Sequence, residues 1–243
     1  MGRAETVHLE VDITEMRAMG LFGKRVTAAV ATTVALLSAT ACGEDKGTAE
    51  SEPLTKTQIA QAALEEGDVP GYTIRDNSGV QSDPSARAAE KSCQPIVAVM
   101  APVASADDER LALRSIVKTP TGSESPEASY QLVLSTAGSE SAAEQTVQDL
   151  RSAVSSCGSG FEVTLSGEDY KIRQVAVNKS ELGEKAVDFS LEYQMGRKMR
   201  YVMVQNGASL TKISASGQFE SKFIAVPRKI IDAQQRKLDE AAK

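Results

Sequence analysis

The sequence predicts an α+β fold in a single domain, with a twisted antiparallel sheet that carries helices on one face. Helical and strand patterns follow one another without the regular alternation that parallel βαβ units require. A composition of 41% hydrophobic and 25% charged residues is ordinary for a globular protein. Aromatic residues make up only 4% of the chain and Trp is absent, so aliphatic side chains must dominate the core.

The clearest predicted helix lies in the middle of the chain. Ser141 and Glu144 form a possible capping box, which would satisfy two free N–H groups at a helix start. Apolar residues then recur at helical spacing, at Ala143, Val147, Leu150 and Val154. The helix is expected to end at Cys157, before the breakers Gly158 and Gly160. We interpret that glycine pair as a helix end, and a phosphate-binding loop is the less favoured alternative because the pair follows a helix.

Four further helices are predicted from start and stop signals. The first begins at Thr57 as N-cap and stops at Gly67. Asp83-Pro84 begins a helix towards Cys93, and residues 95–100 form a second short helix. Residues 227–242 form the last helix, with Ile230, Ile231, Gln234 and Leu238 on one face.

Strands are predicted where apolar residues recur at every second position. This pattern holds at 111–117 and at 130–134, with a loop at 119–127 between them, and a turn at 68–74 leads into a short strand. Residues 187–195 alternate between apolar and polar, which indicates one dry and one wet face. Gly196 then turns the chain, and Asn206-Gly207 is a strong hairpin signal because both residues tolerate positive φ.

The N-terminal region has the pattern of an export signal. Lys24 and Arg25 precede an apolar run at 26–37, and small residues follow up to Ala41 and Cys42. A membrane-spanning helix needs about 20 apolar residues, so this run predicts a cleavable signal peptide. Residues 1–18 are polar and acidic, and we expect them to be a non-native extension with the true start at Met19.

These features divide the chain into four parts. We expect an extension at 1–18, the signal peptide at 19–41, a modified N-terminus with a flexible linker at 42–53, and one globular domain at 54–243.

The residues Ala39-Thr40-Ala41-Cys42 resemble a lipobox, the signal of bacterial lipoproteins. The resemblance implies cleavage between Ala41 and Cys42 and attachment of lipid to the Cys42 sulfur. Lipoboxes usually have Leu where this chain has Ala39. The same residues also fit ordinary signal peptidase, which would release an unanchored protein, so secretion without lipid stays open.

Cys93 and Cys157 remain once Cys42 is assigned to lipid. Outside the cytoplasm an isolated cysteine pair is more often a disulfide than two free thiols, so we expect one bond that joins two helices. No C-x-x-C motif is present, and two distant cysteines without histidine make a poor zinc site.

Sequence motifs for catalysis are scarce. The single histidine, His8, lies in the expected extension, which argues against Ser-His-Asp, Cys-His and histidine-zinc chemistry. Two acidic clusters could bind calcium or act as acid and base, at 107–109 and at Glu168-Asp169, although solvated turn residues are the more common reading. We therefore predict no enzyme activity, no catalytic residue, no cofactor and no metal site.

Charge and aromatic residues suggest some partners and argue against others. A net charge of −6 disfavours nucleic acid. Arg197, Lys198 and Arg200 cluster at a predicted hairpin tip, where they could contact phospholipid or an acidic partner, or simply keep the turn soluble. Four aromatic residues either line an apolar pocket or belong to the core, namely Tyr130, Phe189, Tyr193 and Tyr201.

The order of these features resembles actinobacterial lipoproteins and the extracellular sensor domains of mycobacterial receptor kinases. The resemblance rests on a first helix leading into Asp68-Val-Pro-Gly-Tyr72, on the positions of Cys93 and Cys157, and on a final helix led by Pro227 and ending in Gln235-Arg-Lys-Leu238. It implies a sensing domain with a groove between sheet and helices.

We therefore expect a non-catalytic binding or sensing module, held by covalent lipid at the extracellular face of the cell membrane. Its ligand would be small and apolar, or part of the envelope, and its oligomeric state is left open. The alternatives are a lipid carrier of the cell envelope and a carboxylate-based envelope hydrolase.

Overall fold

A single antiparallel sheet of nine strands runs through the part of the chain that the structure describes. This computed structural model describes residues 52–77, 83–101, 112–120, 127–217 and 222–243, all within one compact unit, Lys46–Lys243. The predicted extension, the signal peptide, Ala41 and Cys42 lie outside the described residues.

The strands follow the order β1-β3-β4-β9-β8-β7-β6-β5-β2, and every neighbouring pair is antiparallel. The α+β class and the antiparallel sheet are therefore confirmed. The bounds are β1 Tyr72–Asp76, β2 Arg87–Ala88, β3 Ala112–Lys118, β4 Ala128–Thr136, β5 Phe161–Leu165, β6 Glu168–Val177, β7 Ala186–Tyr193, β8 Lys198–Asn206 and β9 Ser209–Gly217.

Within the described ranges, four α-helices pack on the sheet: α1 (Lys56–Ala62), α2 (Gln94–Met100), α3 (Glu140–Ser156) and α4 (Arg228–Ala241). Their arrangement differs from the prediction, because they cover both faces of the sheet. Val202 and Met203 are successive residues of β8, so their side chains point to opposite faces. Val202 lies in the core under α1 and α4, whereas Met203 lies in the core under α2 and α3. The unbroken apolar run 201–204 was the signal for a strand buried on both faces.

Two predicted N-caps are wrong by two residues. Thr55, not Thr57, caps α1, in a reciprocal capping box with Gln58. Ser139, not Ser141, caps α3, and its hydroxyl accepts the N–H of Ala142. The first turn of each helix is polar, so the apolar spacing gave no sign of it.

The helix predicted from Asp83 to Cys93 is wrong. Asp83 Oδ1 instead accepts both the N–H and the hydroxyl of Ser85, and Oδ2 accepts the N–H of Ser166 in the β5–β6 turn. An aspartate that bonds two residues ahead favours a turn as readily as a helix start. Strand β2 and a short 3-10 helix, Lys91–Cys93, follow in place of the predicted helix.

The strand, hairpin and C-terminal helix predictions hold. Strand β3 contains residues 112–117 of the first predicted segment, whose residue 111 lies outside the described part, and β4 covers the second. The last helix buries Ile230, Ile231, Gln234 and Leu238. The hairpin at Asn206-Gly207 forms with Gly207 at φ +53°, but Asn206 is the last residue of β8 and pairs with Ser209. Gly160 is required by space, since a Cβ there would lie 2.2 Å from the carbonyl oxygen of Ile172. The glycine pair after Cys157 therefore serves a helix end and a close strand contact.

Each short helix is fastened to a long one. Gln234 of α4 is fully buried; its side chain accepts the Leu64 N–H at 3.2 Å and donates to the Ala62 carbonyl at 2.7 Å. Arg114 adds a bond of 2.8 Å to the Leu64 carbonyl. On the other face a disulfide joins Cys93, at the start of α2, to Cys157, at the end of α3, with 6.0 Å between their Cα atoms.

Candidate functional site

A cleft of about 800 Å³ lies between α3 and the connection from β6 to β7. It is the kind of position that the sequence resemblance implies, between a helix and the sheet. Its size is within the range of sites for small molecules. The residues that build its two walls are the candidate functional residues of the chain.

One wall is a single face of α3. The residues on this face are spaced by four and three along the helix, which places them in one row: Glu140, Glu144, Val147, Arg151 and Val154. At 1.5 Å per residue the row is about 21 Å long. The wall is therefore acidic at the start of the helix and carries Arg151 between two valines further along.

The second wall is the end of β6, the connection after it and the start of β7. It contributes Val177, which is 69% exposed, Asn178 and Val187. Arg151 donates from Nη2 to the carbonyl oxygens of Glu184 and Ala186, which fixes this wall to α3. The cleft is therefore largely formed before any ligand binds, a property that lowers the entropic cost of binding.

Two further contacts tie the acidic end of the cleft together. Lys185 Nζ lies 3.5 Å from Glu140 Oε1, and Gln205 Nε2 donates to the Glu140 carbonyl at 3.3 Å. The Glu144 carboxylate accepts a bond from Gln148 at 3.1 Å. The described residues of the lining include neither histidine nor cysteine. Valines and polar groups side by side suit a ligand with an apolar part and hydrogen-bonding groups.

A buried polar network lies on the opposite face of the sheet from α3, and Asn178 connects it to the cleft. The strand predicted to have one wet face does not: Asp188 and Ser190 of β7 are only 7% and 3% exposed. Asp188 accepts two bonds from the Arg200 guanidinium, at 2.8 and 2.6 Å, and a third from Asn178 at 2.8 Å. The hydrogen bonds with Asp188 raise the pKa of Arg200, although its partial burial works in the other direction. These polar side chains can be buried because their hydrogen-bonding groups have partners within the network.

The four aromatic candidates do not line one pocket. Phe189 and Tyr201 stack at 5.3 Å between ring centroids, and the Tyr193 hydroxyl is 3.5 Å from that of Tyr201. Tyr130 is on the opposite face, 6.1 Å from Tyr72. Burial raises the pKa of Tyr193 and raises that of Tyr201 well above its usual value. The alternative interpretation, that these residues belong to the core, is confirmed for Tyr130, Phe189 and Tyr201.

The acidic pair Glu168-Asp169 is engaged within its own hairpin. Tyr170 donates its hydroxyl to Glu168 at 2.7 Å, which raises the pKa of Tyr170, and Thr164 donates to Asp169 at 2.7 Å. The other acidic cluster, 107–109, lies outside the described residues. Among the residues that are described, no three His, Cys, Asp or Glu side chains come together as a metal site.

The predicted basic cluster is divided by the structure. Arg200 points inward to Asp188, while Arg197 and Lys198 stay at the β7–β8 turn. No helix in the described part of the chain is long and apolar enough to span a membrane.

The sequence patterns did not indicate the residues that form the cleft. Arg151, Asn178 and Gln205 carry no local signal, because each depends on a contact with a distant segment. One signal was available: Glu140, Glu144 and Arg151 recur at helical spacing along the edge of the apolar row, in line with its members Val147 and Val154.

Comparisons with known proteins give no family for this chain. No family model matches, and no curated protein matches. Two solved structures are similar in chain course. The extracellular domain of PknH from Mycobacterium tuberculosis has 13% identity and a TM-score of 0.49, over 79% of this chain and 98% of that one. An uncharacterized protein from Mycobacterium smegmatis, the Rv0999 ortholog, has 9% identity and a TM-score of 0.34, over 77% and 95%. The first is of the class that the sequence resembles, but neither likeness carries a functional argument at these values.

Proposed function

We propose that this chain is an extracellular, lipid-anchored binding or sensing module without catalytic activity. The export signal with its lipobox-like residues supports the location, and Cys42 is the proposed point of attachment. The disulfide between Cys93 and Cys157 fits an oxidising compartment outside the cytoplasm.

The observation that carries the binding role is the cleft between α3 and the β6–β7 connection. Its walls are fixed to each other by Arg151 and Lys185, so it stays formed without a ligand. Val177 offers an exposed apolar surface, whereas Val147, Val154 and Val187 are largely buried, and Glu144, Asn178 and Ser180 offer polar groups at the margin of the cleft. The ligand that fits this lining is a small molecule with an apolar body and several hydrogen-bonding groups.

The two alternative functions require other features. A lipid carrier needs an enclosed apolar cavity, whereas this cleft is open and carries charged residues at Glu140, Glu144 and Arg151. A glycoside hydrolase needs two carboxyl groups that face one cleft. Glu168 and Asp169 are successive residues of one strand, so they point to opposite faces of the sheet. These contrasts favour a binding role.

Native mass spectrometry of the protein, purified from its producing cells, tests the site. Val177→Arg places a long cationic side chain at the cleft from a position that is already exposed. Met195→Arg is the matched control, because Met195 is exposed and lies outside the cleft lining.

We expect wild type and Met195→Arg to retain the same small-molecule adduct and Val177→Arg to lose it. An adduct that survives in Val177→Arg would place the ligand elsewhere, and an adduct with the mass of a diacyl lipid would favour the carrier.

A further inference from the structure

Exposed apolar side chains gather at one turn of the sheet. In the described part of the chain, four large apolar residues are exposed: Tyr170 (40%), Val177 (69%), Met195 (93%) and Phe223 (43%). Met195 belongs to the β7–β8 turn, and Tyr170 and Phe223 lie close to residues of that turn. The Gln194 N–H donates to the carbonyl of Lys171, the neighbour of Tyr170, at 2.8 Å, and Lys198 Nζ lies 5.2 Å from the centre of the Phe223 ring. We call Tyr170, Met195, Arg197, Lys198 and Phe223 the tip surface.

The turn holds Met195 in a fixed, projecting position. The Tyr193 N–H donates to the Arg197 carbonyl at 2.8 Å, and the Gly196 N–H donates to the Tyr193 carbonyl at 2.9 Å. Gly196 has φ +85°, a conformation that glycine adopts without strain. A side chain with 93% exposure on such a turn is not explained by the packing of the domain.

Two cations and one carboxylate flank the apolar side chains of the tip surface, since the Tyr170 hydroxyl donates to Glu168. The Arg197 guanidinium lies 5.9 Å from the centre of the Tyr193 ring, and Lys198 packs on Phe223. Both cations are thus held over aromatic rings. The chain as a whole carries a net charge of −6, so this basic group differs in sign from the molecule that bears it. The difference points to an anionic partner for this end of the sheet.

We propose that the tip surface docks on a bilayer of anionic phospholipid. Met195 enters the boundary between headgroups and acyl chains, Tyr170 and Phe223 lie at headgroup level, and Arg197 and Lys198 contact lipid phosphates. Aromatic residues are enriched at this depth of a membrane, and basic side chains near an anionic surface each add to the attraction. An acidic protein partner would account for the cations but not for the protruding Met195 near exposed aromatic residues. An anionic lipid surface accounts for both.

The tip surface lies at the end of the sheet away from the start of the domain. Gln58 of α1 donates to the Ala241 carbonyl, and Asn206, at the last position of β8, donates to Asp239 of α4. Strand β8 begins at the tip and spans about 27 Å at 3.4 Å per residue. From Cys42 to Thr55 an extended chain covers at most roughly 45 Å. The tip can therefore reach the membrane whether or not Cys42 carries lipid, and docking does not depend on the proposed function.

Tryptophan fluorescence tests the docking, because the chain has no Trp and a single one reports alone. The variants are Met195→Trp and, as control, Gln145→Trp, which replaces an exposed neutral residue of α3 outside the cleft lining. Each protein, as purified from cells, is combined with vesicles of phosphatidylglycerol and phosphatidylcholine that contain brominated acyl chains. Vesicles of phosphatidylcholine alone give the neutral reference.

We expect the indole emission of Met195→Trp to shift to the blue and to be quenched on the anionic vesicles, with the emission of Gln145→Trp unchanged. Adding Arg197→Glu and Lys198→Glu to Met195→Trp should weaken the response by at least about tenfold. Unquenched emission from Met195→Trp on anionic vesicles would overturn the proposal, and an acidic protein partner would then be the alternative. Equal quenching at both positions, or on neutral vesicles, would also overturn it.

Discussion

The helix pairs on the two faces of the sheet, which we call the α1–α4 half and the α2–α3 half, hold their short helices by different means. On one face, hydrogen bonds from Gln234 of α4 and from Arg114 of β3 hold the end of α1 and Leu64, which follows it. On the other face, the disulfide binds α2 to α3. Both α1 and α2 have only seven residues. A helix of that length is unstable alone in water, so each depends on its attachment.

This difference predicts that the two halves respond to different treatments. A reductant acts on the α2–α3 half only. Loss of a buried hydrogen-bonding group acts on the α1–α4 half only. The three predictions that follow test this division, from the largest effect to the smallest.

Removal of the disulfide should have the largest effect. The bond closes a loop with a sequence separation of 64. In the chain-entropy model, Cys93→Ser with Cys157→Ser lowers the free energy of unfolding by about 4 kcal/mol. Urea denaturation of wild type and variant, each with and without reductant, measures it. A wild-type midpoint that does not move on reduction would contradict the division.

Replacement of the buried glutamine should come second. Gln234→Leu keeps a side chain of similar size at this position but leaves the Leu64 N–H and the Ala62 carbonyl without their partner. Each unsatisfied buried group costs about 1–3 kcal/mol, and the apolar surface that Leu buries offsets part of the cost of two such groups, so we expect a loss of about 2–4 kcal/mol in the free energy of unfolding.

The neighbouring Gln235→Leu is the matched control. Gln235 is half-buried and bonds Thr211 at 3.3 Å, so its replacement should cost less. The effects of Gln234→Leu and of disulfide removal should add to within about 0.5 kcal/mol, since they act on opposite faces. A larger interaction energy between the two changes would mean that the attachments on the two faces are energetically coupled.

The pH dependence should give the smallest effect. Burial would raise the pKa of Asp68, but hydrogen bonds from Lys237 and from the Glu65 N–H outweigh it, and the pKa lies below the ordinary value of 3.8. A lowered pKa contributes stability that is complete above the unfolded value and is lost as the pH falls through the folded one. Asp68→Asn should therefore reduce the loss of stability below about pH 4, by less than about 1 kcal/mol.

Asp83 is the counterpart on the other half. Hydrogen bonds from the Ser85 side chain and from the Ser166 N–H lower its pKa. Asp83→Asn should likewise reduce the loss of stability at acid pH, and its effect should add to that of Asp68→Asn. Denaturation curves at about pH 5 and about pH 3 measure both. If neither variant changed the loss of stability between these pH values, the two carboxylates would not be its cause.

Local patterns predicted the elements well, and distant contacts explain what they missed. The row from Ala143 to Val154 and the alternation in β3 and β4 report on side chains that face a core, so they were readable. The caps were misplaced because several serines and threonines precede each helix and only the backbone conformation distinguishes Thr55 and Ser139. The two-sided packing was missed because polar Asp188 suggested a wet face.

The cleft could not be predicted for the same reason. Arg151 is seven residues beyond Glu144 on one helix, but its partners are carbonyl oxygens at 184 and 186. Such partners leave no mark in the local sequence. A groove was therefore expected only from the resemblance to a known class, and not from composition or spacing.

Metabolic labelling with a clickable fatty acid is the most direct measurement of the central claim, that the domain is anchored outside the cell through Cys42. Wild type and Cys42→Ala are expressed in the same cells, and the purified proteins are compared for label and for mass. We predict that wild type carries the label and stays with the membrane, and that Cys42→Ala carries none. Wild-type protein recovered from the medium without added lipid mass would contradict the claim.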